Sequence, residues 1–205
     1  MEILKTQKMD TIISESLKNA ILYSEYRNLV SDLVEKKSTT GNEKTEALVN
    51  YTILNDRRMK RWDKTVKISE EMTSKIEKFN KKVTWLVISE SWCGDAAHIM
   101  PVINKAVELN DNIDYKIVLR DENDALMDQF LTNGGKAIPK LIMIDNETNA
   151  VIDTFGPRPT VATNLVNDYK AEHGSLTPEF KEDLQRWYNK DKGQSTLEDL
   201  VNLLD

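Results

Sequence analysis

The spacing of apolar residues divides the chain into two regimes, with the change near residue 80. Before it, Ile12, Ile13, Leu17, Ile21, Leu22, Leu29, Val30, Leu33 and Val34 recur at intervals of three and four, the period of an amphipathic helix. Ser38-Thr39-Thr40-Gly41-Asn42 interrupts that pattern with stop and cap residues. Ala47, Leu48, Tyr51, Ile53 and Leu54 resume it and predict a second helix running toward Trp62. Met72, Ile76 and Phe79 form the stripe of a third over about Ser69 to Asn80. Residues 1–80 thus predict a helical extension in which no set of side chains looks catalytic.

From Val83 the period shortens. Val83-Thr84-Trp85-Leu86-Val87-Ile88 is apolar and β-branched, as a strand buried on both faces should be. The pattern then predicts a helix over Ala96 to Leu109, an alternating strand over Ile113 to Leu119, and a short helix over Ala125 to Leu131 stopped at Asn133-Gly134-Gly135. Two further strands, Leu141 to Ile144 and Ala150 to Phe155, flank the turn Asp145-Asn146-Glu147-Thr148-Asn149. Thr160 to Glu172 is helical again. Thr177-Pro178 opens another helix with a cap and a first-turn proline, and Ser195 with Glu198 reads as a capping box for the last turns. The order β-α-β-α-β-β-α implies an α/β domain: a central mixed sheet flanked by helices, over residues 81–205 with the additional C-terminal helices.

Composition narrows the function classes. With 40% hydrophobic and 30% charged residues, the chain has enough apolar content for a core. A net charge of −6 argues against a nucleic-acid footprint. The one basic cluster, Arg57, Arg58, Lys60 and Arg61, is flanked by Asp56 and Asp63 and reads as a solvated helix face rather than a phosphate site. No apolar run approaches the ~18 residues of a membrane span, and Met1-Glu2-Ile3-Leu4-Lys5 lacks the apolar core of a secretory signal. One cysteine cannot form an intramolecular disulfide, so the cytoplasm is the expected compartment. Gly134-Gly135 is no nucleotide loop, and no cofactor motif is present. His98, His173 and Cys93 lack metal-ligand spacing, which leaves a cluster bridged between subunits through Cys93 and an added thiol as the only metal reading.

The candidate chemistry lies in Trp92-Cys93-Gly94-Asp95-Ala96, which holds the only cysteine. It follows the first strand and opens the next helix, where backbone N–H groups and the helix dipole stabilise a thiolate. Asp95, two residues on, opposes this and should raise the Cys93 pKa. Asp95 also suits the first helical turn, and it stands as a candidate to bind a substrate or cation. His98 lies about 140° around the helix from Cys93, a poor position for a base. Three roles stay open for Cys93: a reactive thiol, a binding position without redox chemistry, or a small core residue.

These residues carry a family resemblance. Trp92-Cys93-Gly94 at a strand end resembles the thioredoxin active-site turn, Trp-Cys-Gly-Pro-Cys. Pro101 matches the proline that kinks the active-site helix, Ala137-Ile138-Pro139 the cis-proline loop, and Gly156 the glycine near that loop. The resemblance covers about residues 80–172 and implies a thioredoxin-like fold with an N-terminal helical extension. Trp92 to Ala97, with Arg120-Asp121-Glu122-Asn123, is similar to a bacterial subgroup carrying Cys-Gly-Asp-Ala in place of the dithiol. The resemblance implies Cys93 as the catalytic thiol, a cis peptide at Pro139, and a substrate surface of Trp92, Gly94, Asp95, Ile138 and Pro139, with Ile138 pairing to an extended segment. Two departures limit the chemistry. Ala96 stands where the resolving cysteine belongs, and Val87 where a buried acid assists resolution. Two functions follow as expectations: monothiol exchange through Cys93, with a protein or low-molecular-weight thiol or disulfide as partner and an external thiol resolving the intermediate; or a redox-inactive binding module docking a partner or peptide at the Trp92/Pro139 groove.

Overall fold

The computed structural model describes residues 2–205, with side chains described from Met9 onward; the side chains of Met1 to Lys5, read above for a signal, lie outside that range. The elements run α1 (Glu2–Lys18), α2 (Tyr23–Glu35), α3 (Glu46–Thr65), α4 (Glu70–Lys78), β1 (Val83–Ser89), α5 (Gly94–Val107), β2 (Ile113–Leu119), α6 (Asp124–Met127), β3 (Lys140–Asp145), β4 (Val151–Phe155), α7 (Thr160–His173), α8 (Pro178–Asp191) and α9 (Gln194–Asn202).

The strands form one mixed sheet in the order β2-β1-β3-β4. β1 pairs parallel to β2 and antiparallel to β3, so Val87 sits between Ile117 and Leu141. Each residue of β1 is buried, which explains its apolar run from Trp85 to Ile88: a strand covered on both faces has no polar side to alternate with. β4 is the outer strand beside β3, and its exposed Ile152 and Asp153 follow from that edge position. The core is continuous from the sheet into the N-terminal helices, with Ile13, Tyr26, Met59 and Ile76 in the same apolar cluster as Trp85, Ile99 and Met100.

Several boundaries differ from the sequence pattern. The stripe from Ile12 to Val34 is two helices, not one. Between them Ile21 leaves the helix, and its N–H and C=O each bond Ile117 at 2.9 Å. β2 is the sheet's other edge, and its unpaired backbone groups draw that segment into extended form. α2 then starts with the Glu25 carboxylate accepting the Leu22 N–H at 2.7 Å.

The short helix ends at Met127 rather than Leu131, and Asn133-Gly134 is not a helix stop. Those two residues, at φ 51° and 77°, form the corner of a two-residue hairpin in which Thr132 and Gly135 exchange backbone hydrogen bonds at 2.9 and 3.0 Å. Asn-Gly suits a turn that needs positive φ twice. Ser195 is not a cap either. Gly193 precedes α9, and Ser195 lies within it, its hydroxyl donating to Asp191 Oδ1 at 2.5 Å. Asp191, at the end of α8, supplies the acceptor that the sequence pattern assigned to Ser195.

Caps at Thr45, Ser69 and Thr177 start α3, α4 and α8. α3 lies along α5, and α9 packs on α4, α5 and α7. α3 of the N-terminal extension and α9 at the C-terminal side therefore both bear on α5, the helix that carries the candidate site. Among the described residues no helix is long and apolar enough to cross a membrane.

Candidate functional site

Cys93 is the residue where β1's trailing turn becomes α5. It has extended backbone angles, and its sulfur accepts the Ala96 N–H at 3.5 Å as the helix cap. The thiol donates to the Ile138 carbonyl at 3.2 Å. Residues 93 and 138 thus meet, and the Ile138–Pro139 peptide beside the sulfur is cis. Gly156 closes the same corner at φ 104°, and a Cβ there would fall 2.3 Å from the Pro139 carbonyl oxygen. Glycine is required at that position because the two backbones touch.

The sulfur is not open to solvent: Cys93 is 8% exposed. Burial pushes its thiol up to about 12, Asp95 adds to the rise, and the Ala96 and Asp95 amides work against it. Burial outweighs the acid named from sequence. A thiol is here held in its neutral, hydrogen-donating form.

Asp95 points inward. Its Oδ2 pairs with Arg158 Nη2 at 2.6 Å, and its Oδ1 accepts the Tyr188 hydroxyl at 2.9 Å. Burial raises its pKa, and Arg158 and Tyr188 oppose the rise. Arg158 follows the Gly156–Pro157 bond, itself cis, and Tyr188 comes from α8. Asp95 thereby ties α5 to two segments distant in sequence. With both its oxygens engaged, it is not placed as a free ligand for a substrate or cation.

His98 faces away from the sulfur into a second polar chain. Its Nδ1 accepts the Trp62 indole N–H at 2.9 Å, so the proton sits on Nε2 and goes to Gln185 Oε1 at 2.8 Å. Tyr188 stacks on the ring at 4.4 Å between centroids. Burial pushes His98 down to about 3, and it is a neutral bridge between α3, α5 and α8. His173 packs against Tyr169 at the end of α7, remote in the chain from this corner. Among the described residues no group of three or more His, Cys, Asp or Glu could hold a metal ion.

The N-terminal helices shape the turn, contrary to the bland role their sequence suggests. Ser91 is clamped by hydroxyls: Thr39 Oγ1 at 3.1 Å, Thr40 Oγ1 at 3.1 Å and Thr52 Oγ1 at 2.9 Å. Asn55 Nδ2 donates to the Ser91 carbonyl at 3.0 Å. Glu90, wholly buried, accepts the Asp121 N–H at 2.9 Å. Arg58 departs from the solvated face assigned to its cluster. It is half-buried beside Gly94, near Gln185, and burial lowers its pKa. Asp56 and Asp63, taken from sequence as flanks of that cluster, bind Arg27 at 3.2 and 3.1 Å.

Of the sequence-derived site residues, Cys93, Ile138 and Pro139 meet at one corner, and Asp95 turns behind it. Gly94 lies under Arg58 and Gln185, and Trp92 is half-buried with Arg120 over its ring at 4.8 Å. Glu90, Ser91, Arg158, Tyr188 and Gln185 carried no sequence signal beyond ordinary helix, strand or loop patterning.

Residues 41–170 match a thioredoxin family model. The match spans more than half of the chain and includes α3 and α4 as well as the sheet. The chain belongs to that thioredoxin family. No curated protein matches the sequence. Two solved structures share the fold. One is a protein of unknown function from Pseudomonas aeruginosa, at 17% identity and a TM-score of 0.58, covering 74% of this chain and 84% of that one. The other is an HIV epitope-scaffold, at 15% identity and a TM-score of 0.56, covering 90% of this chain and 98% of that one.

Proposed function

We propose that this chain is a thioredoxin-fold binding module in which Cys93 remains a protonated thiol and a partner docks beside it. The observation that carries this reading is the state of the sulfur: 8% exposed, donating to the Ile138 carbonyl, with its pKa pushed up to about 12. A nucleophile for disulfide exchange needs thiolate character and access, and both are opposed here. Ala96 and Val87 remove the resolving thiol and its proton partner as well. The docking surface is half-exposed Trp92 with its Arg120 cover, together with the largely exposed segment 135–137 that leads into the buried Ile138–Pro139 pair beside Cys93. The motif Trp92-Cys93-Gly94-Asp95-Ala96 supports the bacterial subgroup with that sequence, and the single cysteine supports a reducing cytoplasm.

A second reading, monothiol exchange, draws on the Ala96 and Asp95 backbone amides directed at the sulfur. Those donors would stabilise a thiolate once a bound substrate uncovered it. The thiolate would attack a disulfide, one sulfur would leave as thiolate, and an external thiol would release the mixed disulfide.

Glutathione disulfide decides between them. The protein and Cys93→Ser are incubated with it, and the adduct is followed by mass spectrometry. The binding-module reading expects labelling no faster than that of an ordinary buried cysteine, and no unaided insulin reduction. Fast labelling, reversed by added thiol and absent in Cys93→Ser, overturns it in favour of monothiol exchange.

A further inference from the structure

Away from Cys93, a cleft of about 430 Å³ opens where α3, α8 and α9 meet, lined by Arg61, Trp62, Thr65, Lys67, Asn189, Lys192 and Gln194. That volume falls within the ~300–1,000 Å³ of small-molecule sites. Three of its lining residues are cations and none is an acid. Among the described residues, no carboxylate lies within ion-pair distance of Arg61, Lys67 or Lys192, although the chain as a whole carries −6. The acids adjacent in sequence are committed elsewhere: Asp63 to Arg27 and Tyr23, and Asp191 to Ser195.

A simpler role for these cations is to balance the negative C-terminal ends of α3 and α8. Lys64 and Lys190 already occupy those last turns, so the cleft cations exceed what the helix ends require. The cleft is also built. Arg61 lies over the Trp62 ring at 4.8 Å and donates to Asn189 Oδ1 at 2.5 Å, which fixes its fork. Gln194 Nε2 donates to the Lys67 carbonyl at 3.1 Å and joins the α3–α4 connection to α9. Trp62 is 4% exposed and is held from behind by its hydrogen bond to His98.

We propose that this cleft binds a small molecule bearing two or more oxyanion charges, phosphate or carboxylate. Arg61 supplies the planar fork suited to such groups, Lys67 and Lys192 supply mobile point charges, and Asn189, whose oxygen accepts from Arg61, keeps its amide N–H groups for the anion. The residues come from positions 61–67 and 189–194, so the positive face exists only once α8 returns to α3. A concave cleft on an acidic molecule suits a compact anion, whereas a nucleic acid would meet the repulsion of the remaining surface.

Isothermal titration with inorganic pyrophosphate, with citrate and with a thymidine oligonucleotide tests this. One-to-one saturable binding of pyrophosphate or citrate, weakened by added salt, is expected, and the tighter of the two identifies the oxyanion. The double variant Lys67→Gln/Lys192→Gln should weaken it about tenfold or more. The double variant Lys64→Gln/Lys190→Gln, which removes the same charge from the same helix ends, should leave it unchanged. Should a double variant fail to fold, its two single variants carry the comparison. Absence of saturable binding by either anion overturns the proposal, as does equal weakening by the control pair or tighter binding of the oligonucleotide. These readouts do not involve Cys93, so they stand or fall apart from the thiol's chemistry.

Discussion

The hydroxyl of Tyr188 donates to Asp95 Oδ1 at 2.9 Å, joining α8 to the first turn of α5 across 93 positions of sequence. Arg158 takes the other carboxylate oxygen at 2.6 Å. A buried carboxylate with both oxygens engaged is costly to unpair. Removing Arg158 by Arg158→Met should destabilise the fold by about 3–5 kcal/mol. Tyr188→Phe, which deletes one hydrogen bond to a charged acceptor, should cost about 1.5–3 kcal/mol. Asp95→Asn in the Arg158→Met background should recover part of the loss, because it removes the stranded charge. Urea unfolding of the wild type, Arg158→Met, Asp95→Asn and their double variant measures the coupling, with Tyr188→Phe beside them, and additive losses in the double variant would show that the pair is not coupled.

Cys93 should alkylate only as its minor thiolate form appears. With the thiol pushed up to about 12, the rate with iodoacetamide at denaturant-free pH should rise about tenfold per pH unit and show no plateau below pH about 10. Asp95→Asn should move the profile to lower pH, because Asp95 contributes to the rise. A plateau near neutrality would mean that the sulfur is ionised in the native state.

His98 makes the fold acid-sensitive. Its native pKa is about 3, against an ordinary value of 6.5. Below about pH 6.5 the unfolded chain binds a proton there that the native state refuses, so stability falls as pH drops toward 3. The limiting slope from this one group is about 1.4 kcal/mol per pH unit. Asp95 and Glu90, both raised by burial, act oppositely, because the native state takes up their protons first. His98→Asn, which keeps an acceptor for Trp62, should flatten the decline in urea midpoint between pH 7 and 5. An unchanged slope would remove His98 as its source.

Gly156 and Gly134 both have positive φ, and they should respond differently to alanine. At Gly156 the added Cβ meets the Pro139 oxygen at 2.3 Å, while at Gly134 nothing lies within 4 Å. Gly134→Ala should cost about 1–2 kcal/mol for the left-handed backbone alone. Gly156→Ala must also displace the Pro139 loop and should cost clearly more, with the Cys93–Ile138 contact loosened and alkylation of Cys93 accelerated. Thermal unfolding and alkylation rates check the pair. Equal costs would mean that the loop yields without resistance.

Periodicity alone made the strands of the sheet legible, and a resemblance to thioredoxins identified the turn after β1. A largely apolar β1, an alternating β2 and the hairpin between β3 and β4 each follow from burial on two faces, one face or an edge, and that periodicity is local. Cys93 at the start of α5 was legible from the strand-to-helix pattern, whereas Pro139 and Gly156 were singled out by the resemblance to thioredoxins. Tertiary structure alone decided the environment of that turn. Asp95 reads from sequence as a first-turn acid, but its partners Arg158 and Tyr188 are 63 and 93 positions away. Thr39, Thr40 and Thr52 read as loop and helix polar residues until Ser91 is brought among them. The burial of Cys93, which sets its protonation more than any neighbouring charge does, is a property of what covers the sulfur. Periodicity records which face of an element is apolar, not which distant segment will lie against it.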